Sequence, residues 1–215
     1  MAIAIALITI TFSIFVPGCL LTKCLGYDNV KSIAIAPPVS CCILLTLGVV
    51  LHILNINAGV ISMLLIPTIV LLVIYSLIKH RYGSSNNKAN QLLILSLYVL
   101  IGILLVLLVL FKHQHGLDAF QPDNDNATHL AIIKNMASSK ILSVLSTSAY
   151  FDTSVSPDMN TAGSFYPSIF HLLAALSILT SGVAVQAAEN ITAAVIIAMV
   201  YTSGCYALFR AIEPN

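Results

Sequence analysis

The chain has 215 residues, of which 59 % are hydrophobic and only 8 % charged, with a net charge of +1 and a mean hydropathy of +0.99. A soluble domain carries about 25 % charged residues, so too little polar surface is present to cover a water-soluble globule of this size. The near-zero net charge, with no basic patch interleaved with aromatics, gives no footing for nucleic-acid binding, and no nucleic-acid partner is expected.

Apolar runs of about 20 residues, separated by short charged punctuation, predict an all-α polytopic transmembrane helical bundle. The roughly 10-residue alternating segments of a transmembrane barrel are missing. Residues 1–215 read as a single membrane domain of about six spans.

The first span is expected over 2–22, with Pro17-Gly18 kinking or ending it near the interface. No Lys or Arg precedes it, so a signal-peptide n-region is missing. The second span, 33–54, carries Pro37-Pro38 in its expected first turns, where lost amides cost least. The third, 60–78, has Pro67 as a kink site. A basic connection, 79–91, leads to the fourth span, 92–111, the most lipid-like of all. After a long loop, 112–167, come a fifth span over 168–182, a turn over Ala184–Glu189 and a sixth span over 191–209. The last two are rich in Ala, Ser, Thr and Gly, a composition suited to helix–helix packing. The cysteines lie in or beside apolar runs and none lies in the loop, so they read as small buried residues.

Lys23 and Lys31 fall in one connection, and Lys79, Arg81 and Lys88 in another of the same parity. The positive-inside rule makes both cytoplasmic in a cell-membrane protein, and places the N-terminus and the 112–167 loop outside.

That loop holds most of the acidic residues and His113, His115 and His129. Asn124 or Asp125 is expected to cap a helix through His129, Ile132, Ile133, Met136 and Ala137. Ile141 to Leu145 is expected to continue as a short amphipathic element along the interface. Asp123 and Asp125, two apart at this helix start, offer hard oxygens for a divalent cation (Mg or Mn), or a general base for a sugar hydroxyl. Ordinary helix capping fits the same spacing. His129 lies four residues after Asp125 on one helical face, which permits an Asp–His pair. His171, one turn into the fifth span, either faces the same cleft or makes an interhelical hydrogen bond. Lys134 and Lys140 either meet a lipid phosphate or snorkel. Asn126-Ala127-Thr128 and Asn190-Ile191-Thr192 match the glycosylation pattern.

Three segments carry a family resemblance. PGCLLTKCLGYDNVKSIAIAPPVS (Pro17–Ser40), DNDNATHLAIIKNMASSK (Asp123–Lys140) and FYPSIFHLLAAL (Phe165–Leu176) resemble segments of uncharacterised actinobacterial multi-span membrane proteins. The last two are also similar to the membrane glycosyltransferases that use polyprenyl-phosphate sugars. That resemblance implies an acidic motif at Asp123 or Asp125, acting as acceptor-activating base or metal ligand. It also implies a cleft lined by His129, Tyr166 and His171, where donor phosphate and acceptor would meet. Lys134, from its own position, is a further substrate-binding candidate. Enzymes of that superfamily have more spans and often a soluble C-terminal domain, so the chain is expected to correspond to a truncated or N-terminal portion.

The leading functional expectation is transfer of a sugar from a polyprenyl-phosphate donor to an extracytoplasmic acceptor, with membrane lipid and a membrane-protein subunit as further partners. The alternative is a non-catalytic assembly subunit of a cell-envelope complex that uses the loop for docking. Transport ranks below both, because no acid lies at a midplane.

Overall fold

A computed structural model of the chain describes residues 1–78, 89–112, 116–119, 124–147 and 168–212. Among them are seven helices and no strand: α1 Ala2–Cys24, α2 Asn29–Ile53, α3 Ile61–Ile78, α4 Ala89–Lys112, α5 Asn124–Ser139, α6 Ile169–Ser181 and α7 Val185–Ile212. The all-helical class expected from the apolar runs is what the chain adopts. Five helices, α1 to α4 and α7, are long and apolar enough to cross a membrane. This is the architecture of a multi-pass membrane protein. Helix α6, expected as the fifth of six spans, has 13 residues. At 1.5 Å per residue it reaches about 20 Å, short of a hydrocarbon core of about 30 Å.

Helices α1 and α2 form the tightest pair. Pro17 does not end α1, which continues to Cys24. Instead the Pro17-Gly18 step sits against α2. The Gly18 amide donates to Ser40 Oγ at 2.8 Å, and a Cβ on Gly18 would run into the Ala36 carbonyl. Thr22 Oγ1 donates back to the Gly18 carbonyl at 2.8 Å. Small residues thus let two backbones approach closely, as membrane helices do. Pro37 and Pro38 lie well inside α2 rather than in its first turns, because Asp28 caps the helix earlier, its side chain accepting from the Lys31 amide. In α3 the irregularity expected at Pro67 takes the form of a π turn over Ile61–Leu65, directly ahead of the proline. The missing Pro67 amide would have bonded the Met63 carbonyl, and the widened turn accommodates that loss.

Contacts between the helix ends order the bundle. At one end, Tyr206 of α7 packs with Val30 of α2 and Leu95 of α4. At the other, Asn190 near the start of α7 donates to the Leu117 and Ala119 carbonyls just past α4. Helix α7 therefore runs antiparallel to α4. The five long helices alternate, and the chain leaves α7 at the end where α1 meets α2. Arg210 joins Lys23 and Lys31 there, which a sixth crossing would have prevented.

The polar segment caps the opposite end. Helix α5 stops at Ser139, and Lys140 adopts φ +56° in the left-handed region. The chain then departs from the expected amphipathic continuation. Only a single 3-10 turn, Val144–Ser146, forms. Leu142, 1 % exposed, is driven down onto α2, where a Cβ on Gly48 would meet the Leu142 carbonyl. The Lys140 carbonyl accepts from the Ala58 amide at 2.7 Å, tying this strap to the α2–α3 connection. Gly182, φ +67°, ends α6 in the left-handed form that glycine adopts without steric cost. The connection is therefore Gly182–Ala184, and Glu189, expected in a turn, lies inside α7.

Candidate functional site

Helix α5 begins at Asn124, so Asn124 and Asp125 fall in its first turn rather than at the capping position. An acidic residue there is favoured by the positive end of the helix dipole. The buried side of α5 is Ile132, Ile133, Met136 and Ala137, which joins the main core with residues of α6 and α7. Of the set Leu130, Ile133 and Ala137 that recurs at three and four, Ile133 and Ala137 are buried, whereas Leu130 is only partly so. His129 sits one turn before Ile133 at the margin of that face, its side chain 27 % exposed.

Helix α6 brings the second histidine. His171 stands in its first turn and is followed by an unbroken buried run, Leu172 to Ser177. That run fixes the helix against α1, α5 and α7 and leaves His171 2 % exposed. The two imidazoles meet: His129 Nδ1 lies 2.7 Å from His171 Nε2, with ring centroids 4.9 Å apart and planes inclined by 23°. The Phe170 ring stands edge-on to His171. On the open side of the pair, Asp125 Oδ2 is 3.5 Å from His129 Nε2, on a side chain 90 % exposed. Glu189 of α7, half-buried, is within electrostatic range of His129. Helices α5, α6 and α7 thus each supply a polar group to one spot at the capped end.

Burial, and secondarily the neighbouring His129, hold His171 well below the ordinary imidazole range, at about 4. It lies on the short helix, outside the five long ones. A neutral His171 can either accept or donate, and the contact to His129 holds one shared proton. When His129 donates from Nδ1, its Nε2 carries the lone pair and faces the exposed side. His171 then fixes the tautomer and ring orientation, as the third member of a base–orienter couple does. The arrangement can take a proton from a hydroxyl at His129 Nε2, with Asp125 beside it.

The structure therefore brings together Asp125, His129 and His171. Asp123 and Tyr166, like His113 and His115, lie outside the described residues. Lys134 is exposed on α5, five residues from His129 and so about 140° around the helix. It is not at the pair. Among the described residues no three His, Cys, Asp or Glu side chains converge to hold a metal ion. Of the two hard oxygen donors expected for a divalent cation, Asp125 lies next to the pair and Asp123 lies outside the described residues. Of the two glycosylation matches, the second is occupied structurally: the Asn190 side-chain amide donates to two carbonyls, at 2.6 and 2.9 Å.

Glu189 is the site residue that sequence reasoning missed. One signal could have found it: it is the single acidic residue between Pro167 and Ile212, in a stretch otherwise free of carboxylates. An acid there needs a polar neighbour.

A family model described as a family of unknown function (DUF6541) matches residues 11–215. No curated protein matches the chain. No solved structure matches it either.

Proposed function

We propose that this chain, which belongs to the DUF6541 family of unknown function, is a membrane glycosyltransferase-like protein acting at the outer face of the cell membrane. The observation that supports this best is the Asp125–His129–His171 arrangement at one end of the bundle, with the 2.7 Å imidazole contact at its centre. The orientation rests on the short connections. Lys23 and Lys31, and Lys79, Arg81 and Lys88, fall in connections of one parity, and Arg210 lines the same cavity as Lys31, so that end is read as cytoplasmic. Lys112, Lys134 and Lys140 belong to the long polar segment, to which the rule does not apply directly.

In this reading His129 Nε2, beside Asp125, takes the proton of an acceptor hydroxyl. The hydroxyl oxygen forms a bond to the anomeric carbon of the donor sugar. The bond from that carbon to the phosphate oxygen breaks, and the polyprenyl phosphate leaves with the electron pair. His171 positions His129 and does not touch substrate. A sugar-transfer assay with a polyprenyl-phosphate sugar and membranes bearing His129→Gln, Asp125→Asn or Glu189→Gln tests the proposal. Removing a general base is expected to lower the rate about 100-fold or more. Transfer at the wild-type rate in all three variants, or none by the wild type, rejects it.

The burial of His171 favours a second reading, an assembly subunit in which the imidazole contact simply fastens α5 to α6. Here the variants lose thermal stability in step with any loss of function, and a partner co-purifies through the capped end.

A further inference from the structure

At the end opposite the histidine pair, α2, α4 and α7 enclose a cavity of about 390 Å³. Its wall includes Asp28, Lys31, Gln91, Tyr206 and Arg210. Two of these are cations, one is an anion and two are neutral hydrogen-bonding groups. The anion is already committed: Asp28 Oδ1 accepts the Lys31 amide at 2.8 Å as the cap of α2.

Tyr206 is the unusual member. Its ring is clamped by Val30 and Leu95 and meets Tyr98 edge-on, with centroids 5.9 Å apart. The residue is 3 % exposed, and its hydroxyl has no hydrogen-bond partner among the described residues. Both Arg210 and Asp28 are within electrostatic range of it. A buried hydroxyl left unpaired is unfavourable, and a tyrosine so placed ordinarily has a partner. The long side chains of Lys31 and Arg210 line the same cavity as Tyr206.

We infer that this cavity is a binding site for a phosphate group, engaged by Lys31, Arg210 and the Tyr206 hydroxyl. Guanidinium and ammonium groups with a neutral donor are the recognition set for phosphate oxygens. A basic pocket between helices at a membrane face takes an anionic lipid headgroup, and the same chemistry would take free phosphate. The inference is independent of the proposed sugar transfer, since no residue is shared between the two ends.

The test uses the full chain in nanodiscs of phosphatidylcholine, with and without phosphatidylglycerol. Native mass spectrometry reads the lipid retained, and thermal denaturation reads the stabilisation. Wild type is expected to retain phosphatidylglycerol in preference to phosphatidylcholine. Lys31→Gln and Arg210→Gln should each weaken that preference about fivefold. Tyr206→Phe, which keeps the ring packing, should weaken it less. Asp28→Asn keeps a capping side chain and removes the negative charge, so it should strengthen retention. Inorganic phosphate added to phosphatidylcholine discs separates the sources. Stabilisation by it, lost in Arg210→Gln, assigns the site to a soluble phosphate. Stabilisation only by phosphatidylglycerol assigns it to the lipid. No preference in the wild type with either probe, or a preference unchanged in the double variant of Lys31 and Arg210, overturns the inference. So does weaker retention in Asp28→Asn with an unchanged melting temperature.

Discussion

His129 Nδ1 and His171 Nε2 meet at 2.7 Å although 42 positions separate them in the chain. Because His171 is buried and held at about 4 against an ordinary 6.5, the unfolded chain binds a proton between those values that the folded chain does not. The stability this contributes is fully present above the unfolded value and is lost as pH falls through the window toward the folded one. The slope is at most about 1.4 kcal/mol per pH unit. Melting temperatures followed from neutral pH down to about 4.5 should fall more steeply for the wild type than for His171→Gln. Parallel curves would mean that His171 does not titrate in this way.

Gly48 faces the Leu142 carbonyl, with Leu172 of α6 just beyond. Gly48→Ala pushes the strap off α2 and disturbs the start of α6 through Leu172. A destabilisation of about 1–3 kcal/mol is expected. Limited proteolysis should show faster cleavage within 141–147 than in the wild type.

Asn190 holds the segment after α4 to α7 through two hydrogen bonds. Asn190→Ala is expected to cost about 1–2 kcal/mol, since the freed carbonyls regain only part of their bonding from water. Chemical denaturation in detergent reads this directly, and an unchanged midpoint would count against the two bonds.

Lys140 carries φ +56°. Lys140→Gly removes the side-chain clash of that conformation and is expected to stabilise the protein by up to about 1 kcal/mol. The gain should appear as a higher melting temperature with the Ala58-to-Lys140 hydrogen bond intact. A lower one would show that the Lys140 side chain contributes more than the backbone strain removes.

The long helices were legible because lipid demands an uninterrupted apolar stretch, and α1 to α4 match that demand closely. Helix ends were harder. Pro17 reads as a kink or an end and Pro37-Pro38 as the first turns of a span. Yet α1 runs past Pro17, where the Gly18 amide turns to Ser40, and α2 starts about two turns before its prolines at the Asp28 cap. The Asp125–His129 relation follows from local helical spacing and was visible. The His129–His171 contact was anticipated only as two histidines near one interface, since its geometry depends on how α5 lies on α6. Glu189 and Leu142 were misplaced for the same reason. Their positions are fixed by neighbours distant in sequence, Leu142 by Gly48 of α2 and Glu189 by the Gly182 turn that begins α7 early.

Among the described residues the helices long and apolar enough to cross a membrane number five, which is odd, and this has a consequence for labelling. With all five crossing, and with the five native cysteines replaced by serine or alanine, a cysteine introduced at Ala2 and one introduced at Ile212 are expected in different aqueous compartments, each beyond reach of a charged thiol reagent applied to the other side. Sealed vesicles of a single orientation should therefore be modified at one terminus only, until the bilayer is breached.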